Sequence, residues 1–231
     1  MYPRKGFTRY GTDKFINYVS SQTNVNDCLL DAGAGGMPYS RLFKHAQYES
    51  CDSKSVLNEI DSGTEMTNKH TFYCDLGSIP RSENYFDKII CSQVLEHVKD
   101  PRKVVSEFYR ILKPGGNLYI TVPSIMGIHQ APHNYFNFLK FGLNEILNDA
   151  GFNNIVIETQ GGIFWVVGKV LHKAYQITTF NKLPRLFKVI FLPLHIIFLI
   201  IIFIISFLLF HIDFLDREKD WTLNYNCICS K

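Results

Sequence analysis

The octapeptide LLDAGAGG occupies residues 29–36 of the 231-residue chain and decides its fold class. An apolar run ends in Asp31, a glycine-rich turn follows, and the stretch YSRLFKHA (39–46) is predicted to begin a helix. Glycine lets the backbone approach a ligand closely beside a helix N-terminus, at the carboxyl end of a sheet. The stretch therefore predicts a buried first strand over residues 27–33, followed by a ligand-binding turn.

Outward from this turn, short apolar runs alternate with helical patterns, which is typical of parallel strands joined by crossover helices. Asp100 and Pro101 are predicted to open a helix as its N-cap and first residue, and Gly151 is predicted to end another. The fold class is therefore α/β. Further strands are predicted at YESCD (48–52), HTFYCD (70–75), YFDKIICSQ (85–93), NLYITVP (117–123) and NIVIETQ (154–160).

Polar side chains follow the ends of successive predicted strands. Asp52 ends the second strand, where an acid can accept hydrogen bonds from ribose hydroxyls. Asp75 ends the third strand and, with Leu76, could hold an adenine edge and face. Ser92 and Gln93 end the fourth. Ordinary turn chemistry explains any one such residue, but the ordered set predicts a nucleoside-type site at one edge of the sheet.

Three other kinds of ligand are disfavoured. A dinucleotide fingerprint needs glycine at position 38, which is Pro38, so a nicotinamide oxidoreductase is a weak alternative. The formal net charge is only +3 and no basic stripe is present, so no nucleic-acid partner is expected. The six cysteines include no C-x-x-C and are predicted to be buried hydrophobic residues, with no metal site.

Together these motifs resemble class I S-adenosylmethionine-dependent methyltransferases, and most closely the group that acts on small molecules and lipids. The resemblance covers residues 25–160 and rests on LLDAGAGG, CD at 51–52, CDL at 74–76, YFDKIICSQVLEHVKDP and RILKPGGNLYITVP. It implies a Rossmann-like seven-stranded fold of order 3-2-1-4-5-7-6, with the seventh strand antiparallel. One departure is Met37, which stands where the family often has a third glycine.

The resemblance also implies a role for each residue of the cofactor site, with S-adenosylmethionine as the cofactor. The residues near the methionine end would be Asp31, Gly33, Ala34 and Gly35. Asp52 would hold the ribose, Asp75 and Leu76 would bracket the adenine, and Ser92 and Gln93 would lie under the amino-acid moiety of the cofactor.

Candidate catalytic residues follow the fourth and fifth strands. Methyl transfer is an in-line displacement, and it needs a base only where the acceptor must lose a proton. His97 and His133 are candidate bases, although packing or loop shaping would also explain them. His129 and Tyr135 are predicted to line the acceptor pocket. No Asn-Pro-Pro-Tyr motif follows the fourth strand, so the predicted acceptor atom is an oxygen or carbon of a lipid, quinone or glycan-type molecule.

Residues 189–212 are almost purely apolar, since 20 of the 24 are Val, Ile, Leu or Phe. As a helix they would reach about 36 Å, which is enough to span a bilayer core. Insertion of the 20 residues is favoured by about 6 to 12 kcal/mol before penalties. The chain is therefore predicted to be membrane-associated, with membrane lipids as partners.

Two observations conflict over the topology of this segment. Lys182, Arg185 and Lys188 precede it and predict a catalytic domain that faces the cytoplasm. TLNYNCICSK (222–231) resembles a seventh strand, which must return to the domain. We therefore expect a hairpin or in-plane pair bent near Pro193 or Ser206, with residues 161–180 beside it.

The sequence thus predicts a cofactor-binding domain (1–160), a hydrophobic insertion (161–221) between strands six and seven, and a returning strand (222–231). The predicted function is methyl transfer from S-adenosylmethionine to a small-molecule or lipid-linked acceptor. The alternative from another class is an inactive, membrane-tethered scaffold or binding module with the same fold.

Overall fold

The computed structural model describes residues 7–54, 70–177 and 184–231. Lys182 and the last residues of the predicted apolar segment, 178–180, lie outside the described residues. The six cysteines are all free thiols, five of them buried and Cys74 half-buried, as the sequence predicts.

Seven strands of the described residues form one sheet in the order β3-β2-β1-β4-β5-β7-β6. The neighbouring pairs among the first five strands are parallel, and β7 runs antiparallel beside β5. The predicted α/β fold and strand order are confirmed, including the return of the seventh strand. The strands are β1 (Cys28–Ala32), β2 (Gln47–Asp52), β3 (Phe72–Tyr73), β4 (Phe86–Ser92), β5 (Leu112–Pro123), β6 (Asn153–Gln160) and β7 (Asn224–Ser230).

Helices cover the sheet with their apolar faces. They are α1 (Phe7–Ser21), α2 (Pro101–Ile111) and α3 (Lys140–Asp149). The predicted start of α2 is confirmed, because the Asp100 carboxylate accepts a hydrogen bond from the Lys103 amide at 3.1 Å and Pro101 is the first helical residue. Gly151 follows α3 with a φ of 98°, which a residue other than glycine adopts only with strain.

One local prediction was wrong. The helix predicted to begin at YSRLFKHA is a single 3₁₀ turn, Ser40–Phe43, because one turn already buries Phe43 before β2 starts at Gln47. Strand β5 begins at Leu112, five residues before the predicted strand at 117–123, and the added residues coincide with a shift of register against β4, between Phe86 and Lys88.

The chain forms two compact units. One comprises Thr12–Glu158 and Asn224–Lys231 and contains most of the sheet, and the other comprises Thr159–Leu223 with the chain up to Gly11. The division predicted from the sequence, at residues 160 and 221, remains a prediction.

The second unit contains α4 (Ile163–Ile177) and α5 (Arg185–Ile212). Trp165, near the start of α4, stacks on Phe210, near the end of α5, with ring centroids 4.9 Å apart, so the helices run antiparallel. The described part of the predicted 161–180 segment therefore does lie beside the apolar helix. However, α5 is continuous through Pro193 and Ser206, so the predicted bend at either residue was wrong and the chain changes direction between the two helices.

Candidate active site

The glycine turn after β1 is hydrogen-bonded to the end of β2. Gly33 and Gly35 have φ values of 74° and 52°, in the left-handed region that favours glycine. The amides of Gly33 and Ala34 donate to the Cys51 carbonyl at 2.9 and 3.1 Å. Met37 has a φ of 52°, so the position where the family often has a third glycine keeps a left-handed backbone despite its side chain.

The turn also leaves room for a ligand. A Cβ atom added at Gly35 would meet no atom within 4 Å, so this part of the turn borders open space. A Cβ at Gly33 would instead come within 2.6 Å of both Val94 methyl groups, which shows how closely the turn approaches the segment after β4. The turn therefore has open space beside Gly35, and its predicted role in binding the cofactor stays a prediction.

We expect Gly33→Ala to destabilise the domain by about 2 to 4 kcal/mol, because the strained φ and the overpacking against Val94 each cost about 1 to 3 kcal/mol. Urea unfolding would measure the change. Gly36→Ala is the matched control, since a Cβ there also meets no atom within 4 Å and its φ needs no left-handed backbone. A Gly33→Ala protein as stable as the control would contradict this account of the turn.

Carboxylates stand at the ends of β2 and β3. Asp52 is half-buried; its Oδ2 accepts from the Gly35 amide at 2.7 Å and its Oδ1 accepts from the Ser53 amide at 2.7 Å. Asp75 is exposed and accepts from the Gly77 amide at 2.7 Å, while Leu76 beside it is buried. Because β3, β2 and β1 are neighbours, their ends place these predicted site residues in order along one edge of the sheet.

Asp31, in β1, is the buried one of the three predicted acids of the cofactor site. Its Oδ2 accepts a hydrogen bond from the Tyr48 hydroxyl at 2.7 Å. Burial raises the pKa of Asp31 to about 6, although the Tyr48 hydrogen bond opposes this shift. Tyr48 was not predicted as a site residue, yet it holds the orientation of the carboxylate at the start of the turn.

The ends of β4 and β5 meet at a buried threonine that the sequence analysis missed. The Ser92 hydroxyl lies 2.9 Å from the Thr121 hydroxyl, and the Gln93 amide nitrogen Nε2 donates to the same Oγ1 at 3.3 Å. Gln93 has a φ of 57°, a backbone conformation that is uncommon for a residue other than glycine and clusters at functional sites. Thr121 therefore fixes both predicted residues, and the signal for it was one hydroxyl within an apolar strand.

The predicted catalytic histidines lie in one cluster. The His97 Nδ1 bonds to the main-chain carbonyl oxygen of His133, and the His97 and His129 rings meet edge-on with centroids 4.9 Å apart. The Tyr135 amide donates to the Glu96 carbonyl at 2.8 Å, which holds the loop after β5 against the segment after β4. The His133 ring Nδ1 lies 3.4 Å from the Tyr135 hydroxyl. Burial lowers the pKa of His97, so its neutral form persists below the usual range.

Glu96 is the third residue that the sequence analysis missed. Its side chain is fully buried, and neither carboxylate oxygen has a hydrogen-bond partner. Its Oε1 lies 3.8 Å from the His97 Nε2. Burial raises the pKa of Glu96 to about 8, so the side chain is mostly protonated at neutral pH. Its position next to His97 in Leu95-Glu96-His97 was the available signal.

Glu96 is expected to make the protein less stable as the pH rises. Between the ordinary glutamate pKa near 4.5 and the folded-state pKa of about 8, the folded state keeps a proton that the unfolded state has lost. The free energy of unfolding therefore falls with increasing pH in this window. We expect Glu96→Gln to reduce that fall, measured by urea unfolding at pH 5.5 and pH 8. Equal pH dependence in the two proteins would contradict the burial of an acid here.

The cluster has the composition of a metal site. One ligand atom each from Glu96, His97 and His129 lie within 4.8 Å of one another, a group of residues that could hold a divalent cation. The sequence analysis predicts no metal, and that remains a prediction. It would be tested by whether a chelator changes methyl transfer.

A family model described as a methyltransferase domain matches residues 4–157. The chain belongs to this methyltransferase family. Membership confirms the predicted enzyme class and its cofactor, S-adenosylmethionine. The cofactor-binding and catalytic roles of individual residues remain proposals.

The chain is also similar in sequence to curated proteins over part of its length. It is 25% identical to the ubiquinone biosynthesis O-methyltransferase of Marinobacter nauticus over 142 aligned residues. The alignment covers 58% of this chain and 57% of that protein. It is 30% identical over 112 residues to the protein of the same name from Coxiella burnetii, covering 46% of this chain and 48% of that protein. The chain therefore spans about half the length of these relatives.

The fold is shared with solved methyltransferases at low identity. A S-adenosylmethionine-dependent methyltransferase from Archaeoglobus fulgidus has a TM-score of 0.59 at 17% identity, covering 95% of this chain and 92% of that one. Phosphoethanolamine N-methyltransferase 2 of Haemonchus contortus, in complex with S-adenosyl-L-methionine, has a TM-score of 0.53 at 17% identity, covering 93% and 52%. At this identity the likeness shows the fold alone.

Proposed function

We propose that this protein transfers the methyl group of S-adenosylmethionine to a hydroxyl oxygen of a small, membrane-associated acceptor. The observation that carries the proposal is His97, a half-buried, neutral imidazole fixed after β4, beside the strand ends that suit the cofactor. The similarity to relatives named ubiquinone biosynthesis O-methyltransferases supports oxygen over the carbon acceptor, which the sequence had left open.

The cofactor would lie across the carboxyl ends of β3, β2, β1 and β4, in the order that the sequence predicts. Asp75 and Leu76 would hold the adenine, Asp52 the ribose, and the turn at Gly33–Gly35 the methionine end. Asp31, Ser92 and Gln93 would face the amino-acid moiety. When bound, S-adenosylmethionine supplies a methyl group on a positively charged sulfur.

His97 would act as the general base. A carbonyl oxygen only accepts hydrogen bonds, so the contact with the His133 carbonyl fixes the proton on the His97 Nδ1 and leaves a lone pair on its Nε2. The lone pair would accept the acceptor's hydroxyl proton as the acceptor oxygen takes the methyl group that S-adenosylmethionine would supply, which would leave the cofactor as a neutral thioether. His129 and Tyr135 would position the acceptor.

A membrane-associated acceptor is supported by the apolar helix. The most apolar 18-residue window within Ile190–Leu215 has a mean hydropathy of 3.0, and only 11% of that window is buried. Such a surface favours contact with lipid. We propose a membrane-associated protein whose catalytic domain faces the cytoplasm, on the basis of the basic residues that precede the apolar segment.

The proposal is tested with labelled S-adenosylmethionine and detergent-solubilised full-length protein. Matched acceptors would be a dihydroxylated aromatic ring with a polyprenyl tail and the same ring without it. We expect labelled methyl ether from the tailed acceptor and less from the other. Cofactor binding without transfer to any membrane-extract component would favour the inactive scaffold instead.

A further inference from the structure

Two carboxylates join the start of α4 to the residues that follow α5. The Asp213 side chain, which is 8% exposed, accepts from the Gly162 amide at 3.0 Å and from the Lys219 Nζ at 2.7 Å. The Asp216 Oδ2 accepts from the Ile163 amide at 2.7 Å. We call Asp213 and Asp216 the aspartate clamp. The carboxylates of the clamp accept hydrogen bonds from main-chain amides at the start of α4, where a helix leaves such amides without a partner of its own. The start of α4 and the residues after α5 therefore lie together, on the same side of the helical pair.

The fit of the clamp is close. A Cβ added at Gly162 would come within 2.2 Å of the Asp216 Oδ2, so any other residue there would displace this carboxylate. The hydrogen bonds from main-chain amides, that from Ile163 first among them, lower the pKa of Asp216. Asp216 therefore stays charged over the physiological pH range.

Apolar side chains are exposed around α5 except on the face that holds Ile202 and Ser206. Most large side chains between residues 190 and 208 are 39% to 63% exposed, whereas Ile202 and Ser206 are buried. A groove on a protein partner, or a second copy of the chain, would cover one stripe of such a helix and leave the others in water. A hydrocarbon environment covers all faces at once, so the occupant that fits is a lipid bilayer.

Basic residues on α4 limit how deep the pair can lie. Lys169, His172 and Lys173 fall at helical spacing near the middle of α4, and His172 and Lys173 are exposed. A lysine at the centre of a spanning helix costs about 2.5 to 3.5 kcal/mol. Near the headgroups the same side chains meet anionic lipid at no such cost. A pair that crosses the whole bilayer is therefore disfavoured relative to one that stays within a single leaflet.

We infer that α4 and α5 form a monotopic anchor, immersed in one leaflet of a bilayer that contains anionic lipid, with both ends held at the same surface by the aspartate clamp. This inference rests on the membrane association proposed above and specifies its topology. It does not depend on the identity of the methyl acceptor.

Vesicle flotation tests the lipid contact. Full-length protein is mixed with phosphatidylcholine vesicles, with or without phosphatidylglycerol, and we expect flotation that is stronger with the anionic lipid. Ile200→Lys, at a side chain 52% exposed on α5, should lower partitioning roughly 100-fold. Val156→Lys, at a side chain 50% exposed on β6, is the matched control and should float like the parent. Absence of flotation would overturn both the anchor and the membrane association.

Cysteine labelling tests the topology separately. The Phe187→Cys variant, whose new cysteine lies on the first turn of α5, is bound to vesicles and treated with a membrane-impermeant maleimide. The parent protein, treated in the same way, measures the labelling of the native cysteines. We expect labelling without permeabilisation, because a monotopic pair keeps this end at the outer surface. Labelling only after detergent treatment would show that the pair crosses the bilayer and would overturn the monotopic arrangement, while leaving the membrane association intact.

Discussion

Replacing His97 with alanine is expected to slow methyl transfer by roughly 100-fold to 10,000-fold, because a positioned general base contributes about that factor. Binding of S-adenosylmethionine should change little, since His97 belongs to the histidine cluster and not to the glycine turn. The rate of the parent should rise with pH with its midpoint below the ordinary histidine pKa of 6.5, because burial lowers the pKa of His97 and only the neutral imidazole accepts a proton. The variant should lose this rise.

Initial rates across pH, with cofactor affinity measured by calorimetry, separate catalysis from binding. His45→Ala is the matched control: His45 is exposed and bonds through its Nε2 to the Thr23 carbonyl at 3.0 Å, away from the cluster. A His97→Ala protein with the parent's rate and pH profile would remove His97 from the mechanism. Loss of rate on His129→Ala alone would then make His129 the better base.

Replacing Asp52 with alanine is expected to weaken S-adenosylmethionine binding by roughly 100-fold or more. Hydrogen bonds to a charged group contribute about 1.5 to 3 kcal/mol each, and Asp52 would hold the ribose while also accepting from the Gly35 amide. The variant thus loses a ligand contact and the fastening of the turn together. Isothermal calorimetry on detergent-solubilised protein measures the change.

Asp149→Ala is the control for Asp52→Ala, because its carboxylate is 59% exposed at the end of α3. Asp52→Asn keeps the size of the side chain and removes its charge, so an intermediate affinity is expected. Unchanged binding by a well-folded Asp52→Ala protein would exclude the predicted ribose contact. It would also strengthen the scaffold alternative if the parent itself bound no cofactor.

The α/β class and the glycine turn could be predicted because their signals are local, whereas the sheet order followed from the family resemblance. Alternating strand and helix patterns, an acid at the end of each of the first three strands, and the glycines after β1 lie within short windows of sequence. The antiparallel return of β7 followed from the family resemblance, since nothing within TLNYNCICSK specifies its partner strand. Helix α1 was not predicted, because its buried residues Phe15, Ile16 and Val19 are too few to give a clear helical period.

The finer features of the site depend on contacts between distant residues. Thr121 reaches Ser92 only because β4 and β5 pair in a register that the sequence does not state. Tyr48 reaches Asp31 through the pairing of β1 and β2 in the same way. Glu96 was missed because an acid beside an exposed loop is ordinarily solvated, and only packing shows that it is buried.

The antiparallel pairing of β7 with β5 has a consequence for biosynthesis. On the ribosome, α4 and α5 emerge before β7, so the edge of β5 from Asn117 to Pro123 stays open while the most apolar part of the nascent chain is already free. An open strand edge together with exposed apolar helices is a combination prone to aggregation. Early capture of the helical pair by lipid would remove one of these hazards before the sheet closes. Translation in the presence of vesicles should therefore yield more folded, vesicle-bound enzyme than refolding of the finished chain in water.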